Sequence, residues 1–187
     1  MTKMKVYWYV LLVKTGAEER IVERLKNMLS RESCTPFVPK KTCVFRRQGK
    51  KELFQKNCFP GYVFIESKMA SMEFRGNVFP IVYKNKDVYR FLHYGDRSDI
   101  AMREGEQAIL SNLIGDEHKL DMSYGFKEGD VVSIISGFLK GNESRIVKLR
   151  KTKNEAVVEV AMFGSVSRVS VGLEVVEKCN RISSTNQ

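Results

Sequence analysis

Two histidines and four cysteines are the only side chains of the His and Cys type that zinc sites favour in this chain of 187 residues, and they are scattered. His93 and His118 stand apart, and Cys34, Cys43, Cys58 and Cys179 form no C-x-x-C pair. A structural zinc site gathers its ligands at short spacing, so no metal is expected. The same cysteines make no disulfide framework, which points to reduced thiols in a cytoplasmic protein. No apolar run approaches the roughly 18 residues that a membrane-spanning helix needs. Val6-Tyr7-Trp8-Tyr9-Val10-Leu11-Leu12-Val13 is rich in aromatics, and no small-residue cleavage site follows it. It reads as a buried strand, not as a signal segment. Catalytic constellations are also missing. No Ser/His/Asp or Cys/His set has supporting spacing, no glycine-rich phosphate loop opens a helix, and no carboxylate pair stands out. Glu128 and Asp130 read as turn residues before a strand. Neither enzymatic activity nor a cofactor is expected.

What the chain has in excess is positive charge. Lys and Arg number 32 against 22 Asp and Glu, a formal net charge of +10. Such a field favours a polyanionic partner, nucleic acid ahead of an anionic membrane. A hydrophobic content of 43% is enough for a core, as in ordinary globular proteins.

Apolar residues on both faces of 5–13 suggest a central strand. Thr15-Gly16-Ala17-Glu18 fits a capping box, with Thr15 as N-cap. The helix after it carries Ile21, Val22, Leu25, Met28 and Leu29 on one stripe. Thr42–Phe45 and Phe59–Ile65 read as strands around a basic, glycine-containing turn, with a short helix over 68–76. Val78–Val82 and Val88–Leu92 look like further strands, and Glu104–Ile114 like an amphipathic helix. Residues 1–114 are thus expected to form an α/β sandwich domain. Residues 115–126, without a clear period, read as a linker. Short strands punctuated by glycine then suggest a small β-barrel over 127–179, followed by a polar tail at 180–187. The fold class expected for the whole is α+β.

Five motifs, in order, resemble one family. They are Trp8-Tyr9-Val10 with Gly16 and Glu18; Phe59-Pro60-Gly61-Tyr62-Val63-Phe64; Gly129-Asp130-Val131-Val132 with Ser136-Gly137-Phe138-Leu139; Met162-Phe163-Gly164; and Val175-Val176-Glu177. Over residues 5–178 the chain resembles the NusG family of transcription elongation and antitermination factors, with an NGN-like first domain and a KOW, SH3-like barrel. The resemblance implies that the first domain binds RNA polymerase through a patch including Tyr7, Tyr9, Phe59, Pro60, Gly61 and Tyr62. Burial of these aromatics in the core is the alternative. Trp8 alternates with Tyr7 and Tyr9 and belongs to the core on the opposite face. Phe163 is the candidate for a protein partner on the barrel. Cys58 replaces an aromatic and Ser144 a glycine that the family commonly has.

Charge sets the chain apart from general members of that family. Lys140, Arg145, Lys148, Arg150, Lys151 and Lys153 are opposed only by Glu143. With Arg168 they form the candidate RNA-binding set, and the arginines suit bidentate guanine recognition. A structured hairpin in the nascent RNA is the expected ligand, because the deep groove of regular A-form RNA cannot be read. The alternative is a solvated basic turn. A second cluster, Arg46, Arg47, Gln48, Lys50 and Lys51, is a candidate for contacts to upstream or non-template DNA, with an exposed hairpin made soluble by its lysines as the alternative. These departures resemble the specialised LoaP group of antiterminators, acting as monomers. A general adaptor between polymerase and the ribosome or a termination factor, and a ribosome-associated KOW protein, remain the alternatives.

Overall fold

The computed structural model describes residues 5–47, 50–128 and 131–177. Expectations for Gln48, for Gly129-Asp130, for Cys179 and for the 180–187 tail lie outside the described residues. The first part of the chain holds β1 (Tyr7–Val13), α1 (Glu18–Met28), β2 (Cys34–Phe37), β3 (Lys40–Arg47), β4 (Lys50–Asn57), β5 (Tyr62–Ser67), α2 (Ser71–Val82), β6 (Val88–Phe91), α3 (Glu104–Ile114) and β7 (Lys119–Leu120). The second holds β8 (Ser123–Glu128), β9 (Val131–Ser136), β10 (Ile146–Arg150), β11 (Glu155–Met162) and β12 (Ser165–Glu177). The architecture is α+β.

β1 is central because both of its faces are apolar. It lies in an antiparallel sheet of order β2-β5-β1-β6. Alternation along the strand sends Tyr9, Leu11 and Val13 to one apolar cluster and Trp8 and Val10 to the other. Helix α1 supplies Ile21, Val22 and Leu25 to the first cluster, and α2 supplies Phe74, Val78 and Val82. Leu110, Leu113 and Ile114 of α3 belong to the second.

Three expectations are corrected. Thr15 does not cap α1: its N-cap is Ala17, and no side chain bonds there. Glu18 is instead the first helical residue and is 1% exposed. Its carboxylate accepts the N–H of Gly16 (2.6 Å) and of Gly61 (2.7 Å), so it ties the Pro60-Gly61 turn to the helix start. Val78–Val82 is helical, not extended, because Phe74, Val78 and Val82 recur at intervals of four and bury one helical face. Phe59-Pro60-Gly61 precedes β5 instead of belonging to it, and β3 pairs with β4, not with β5.

The barrel sheet has the order β10-β11-β12-β8-β9, with β12 antiparallel to β11 and parallel to β8. Leu139, Ala156, Val158, Val160, Val169 and Val171 fill it. The segment 115–126, expected as a linker, carries β7 and the first residues of β8. The two parts are in contact. Tyr94 packs on Phe163 at 5.0 Å between ring centroids. Gly172 lets β3 approach β12: a Cβ there would stand 2.8 Å from the Thr42 carbonyl oxygen. Among the described residues no helix is long and apolar enough to cross a membrane.

Candidate nucleic-acid interface

The barrel's cations arise from strand alternation. Register pairs Lys148 with Val157, Arg150 with Glu155, and Arg168 with Glu159. Odd and even positions along β11 face opposite ways, so Lys148, Arg150 and Arg168 share one face of the sheet. The opposite face carries Ala156, Val158 and Val160, each at most 1% exposed. Lys151 and Lys153 follow in a 3₁₀ turn, and Lys140 and Arg145 lie on the connection from β9 to β10. Lys140, Lys148, Lys151, Lys153 and Arg168 are exposed, and Arg145 and Arg150 are half-buried. Two carboxylates temper this face: Glu159 accepts from Arg168 Nε at 2.9 Å, and Glu155 stands 3.7 Å from Arg150. Val147 and Leu149 on β10 are exposed as well, at 49% and 38%.

The β3–β4 ribbon pairs over eight positions, from Lys40↔Asn57 to Arg47↔Lys50. Lys50 and Lys51 are exposed, Arg46 and Arg47 close β3, and Lys51 is paired with Glu174 of the barrel.

The aromatic candidates do not form one patch. Tyr9 is fully buried, stacked on Phe74 at 3.6 Å, with its hydroxyl donating to the Met69 carbonyl. Burial pushes its phenol up to about 12. Tyr7 packs on the Tyr9 side of the sheet, whereas Phe59 and Tyr62 belong with the cluster of Trp8. Phe59 is 5% exposed; Pro60 is exposed and Tyr62 half-buried. Trp8 is in the core, as its alternation indicated. Cys58 is also buried, and burial pushes its thiol up to about 12.

Phe163 is buried at 8%. Its turn joins β11 to β12 with φ of +52° at Phe163 and +72° at Gly164, the geometry of a tight hairpin that needs two left-handed residues. Both turn N–H groups donate to Glu106 of α3, at 2.8 and 3.0 Å, and Tyr94 Oη donates to the same carboxylate at 2.6 Å. Sequence reading did not single out Glu106 or Tyr94. Glu106 looks like an ordinary surface residue of α3, and Tyr94 like one of the bend after β6, until the barrel arrives. Among the described residues no cluster of His, Cys, Asp or Glu is placed to hold a metal.

The profile of the family described as "Transcription termination factor nusG" matches residues 6–110. The transcription termination/antitermination protein NusG of Thermus thermophilus is 26% identical over 183 residues, covering 94% of this chain and all of that protein. Its counterpart in Streptococcus pyogenes is 30% identical, covering 89% and 92%. Thermotoga maritima NusG, solved in work on its domain interaction, superposes with a TM-score of 0.50 at 24% identity over 90% of this chain and 94% of that one, a likeness of fold. This chain belongs to the NusG family of transcription termination/antitermination factors.

Proposed function

We propose that this chain is a specialised, processive antitermination factor of the LoaP kind, working as a monomer in the cytoplasm. Residues 1–114 hold RNA polymerase, through the exposed Pro60 and the half-buried Tyr62, with the buried Phe59 and Gly61 shaping the turn beneath them. Residues 127–179, joined through 115–126, hold a hairpin in the nascent RNA. Lys50 and Lys51 of the ribbon, both exposed, contact DNA. The observation that carries the reading is the shared face of Lys148, Arg150 and Arg168, continued by Lys151 and Lys153. A general adaptor has no need of such a face. An adaptor that grips its partner through Phe163 must also first lift that ring from Tyr94.

The test is transcription in vitro across a terminator, with and without a candidate leader hairpin. The charge reversals Lys148→Glu and Arg150→Glu together should abolish hairpin binding and readthrough while polymerase is still recovered in a pull-down. If four phosphates are neutralised, hairpin affinity falls with salt at a log–log slope of about −3 to −4. Equal loss of polymerase and hairpin by the double variant overturns the division of labour. Recovery of ribosomal subunits alone favours the ribosome-associated reading.

A further inference from the structure

The β3–β4 ribbon and the barrel enclose a groove of about 600 Å³. Its walls come from both parts of the chain: Phe45, Phe54, Lys41 and Lys56 from the ribbon, Arg150 and Lys153 from the barrel. Lys41 Nζ donates to the Ser170 carbonyl at 3.1 Å and closes one end of the contact. Two properties set this groove apart from a solvated basic surface. Four cations line it against the single carboxylate of Glu155. Beside them stand two phenyl rings, Phe45 at 53% and Phe54 at 36% exposure, with Lys56 Nζ 5.1 Å from the Phe54 centroid. Exposed rings do nothing for solubility, whereas rings interleaved with cations are what unpaired nucleic acid uses: bases stack on π-faces and phosphates meet ammonium and guanidinium groups. A space of this size, within the roughly 300–1,000 Å³ of small-ligand sites, admits an unstacked base and not a double helix. An acidic peptide would answer the charges but leave the rings unused.

We propose that this groove holds an unpaired stretch of polynucleotide, with a base stacked on Phe45 or Phe54 and its phosphates against Lys41, Lys56, Arg150 and Lys153. The inference rests in part on the hairpin-binding reading, since Arg150 and Lys153 serve both. It adds the N-terminal ribbon as a second wall, so the site exists only while the barrel is docked.

Fluorescence anisotropy on the full chain tests it with three probes: an oligouridine of about twelve nucleotides, within the usual site sizes, the matching DNA, and a polyglutamate peptide. The expected result is binding of the oligonucleotides and not of the peptide. Phe45→Ala with Phe54→Ala should weaken oligonucleotide binding roughly 5- to 150-fold, the range for losing one stacked base. Both rings are solvent-facing, so the variant should keep its fold, which circular dichroism checks. Lys56→Gln should flatten the salt slope by about 0.7, one phosphate on a single strand. Tighter RNA than DNA binding assigns the occupant to the transcript, the reverse to a displaced DNA strand, and either supports the groove. Lys148→Glu, which lies outside the groove, should lose the hairpin but keep the oligonucleotide. If wild type binds the hairpin while the phenylalanine variant binds oligonucleotide unchanged, the groove is overturned and the hairpin surface stands. If neither RNA binds, both fall. Peptide binding that ignores the ring substitutions overturns the groove in favour of a protein partner.

Discussion

Glu18 explains why two distant motifs belong together. A buried carboxylate must find donors, and here both come from glycine N–H groups, Gly16 beside it and Gly61 forty-three residues away. Gly61 stands at φ +84°, and a Cβ there would meet Thr15 Oγ1 at 3.1 Å. Glu18→Ala is expected to cost about 2–3 kcal/mol, because it strands the buried Gly61 N–H. Gly61→Ala should cost about 1–2 kcal/mol for the left-handed backbone alone. Urea unfolding measures both, and a double variant whose losses simply add would show that the two residues do not act as one unit. A second carboxylate gives a pH dependence. Glu66 accepts from His118 Nε2 at 3.1 Å and from Trp8 Nε1 at 3.0 Å. The His118 hydrogen bond, ahead of burial that opposes it, holds this carboxyl below its ordinary value of 4.5. A lowered folded value means that the stabilisation is complete above about pH 4.5 and fades as pH falls through the folded value. Glu66→Gln should therefore remove about 1 kcal/mol at pH 7 and flatten the acid side of the stability curve. An acid limb unchanged in that variant would place the dependence elsewhere.

At the scale of elements, helix α2 shows where local pattern yields to packing. Its second half, Val78-Phe79-Pro80-Ile81-Val82, is β-branched and contains proline, and read alone it is a strand. It is helical because only a helix places Phe74, Val78 and Val82 together over Tyr9 and Phe91. Proline inside a helix removes a hydrogen bond and crowds the carbonyl four residues back. Pro80→Ala should thus raise stability by about 1–3 kcal/mol, seen as a higher Tm, and a lower Tm would mean that Pro80 shapes the helix usefully. By contrast β1, α3 and the barrel strands β9 to β12 were legible, since their burial is set by short-range alternation or by an amphipathic stripe, whereas most of β8 lay in the segment read as a linker. The basic runs were legible as charge, and Trp8 as core. The partner of β3 was not legible: β4, Lys50–Asn57, carries a polar sequence with little strand signal. The separation of Tyr7 from Phe59 and Tyr62 was equally hidden, because motif order says nothing about which face of a sheet a residue meets.

On the scale of the whole molecule, the docked barrel makes one surface and hides another. It completes the groove with the ribbon through Lys41 and Gly172, and it buries Phe163 against Tyr94. The hinge of this choice is Glu106, whose two oxygens take both N–H groups of the Phe163-Gly164 turn while Tyr94 anchors the carboxylate. Charge-assisted bonds of this kind hold a turn that already carries a strained phenylalanine. Glu106→Ala should weaken docking by about 2–3 kcal/mol, roughly a 30- to 150-fold shift toward an open chain. Small-angle X-ray scattering should then report a larger radius of gyration, and the Gly164 amide resonance should move. Linkage makes the prediction sharper. An oligonucleotide that binds only the closed form must pull the equilibrium back, by RT ln(1 + [L]/Kd). Saturating oligouridine should therefore return Glu106→Ala to the compact radius, whereas in the variant lacking Phe45 and Phe54 as well it should not. Compaction by oligouridine in both variants would mean that the ligand closes the molecule from some place other than the ribbon, and no change of radius in Glu106→Ala alone would mean that the turn is held by packing and not by this carboxylate.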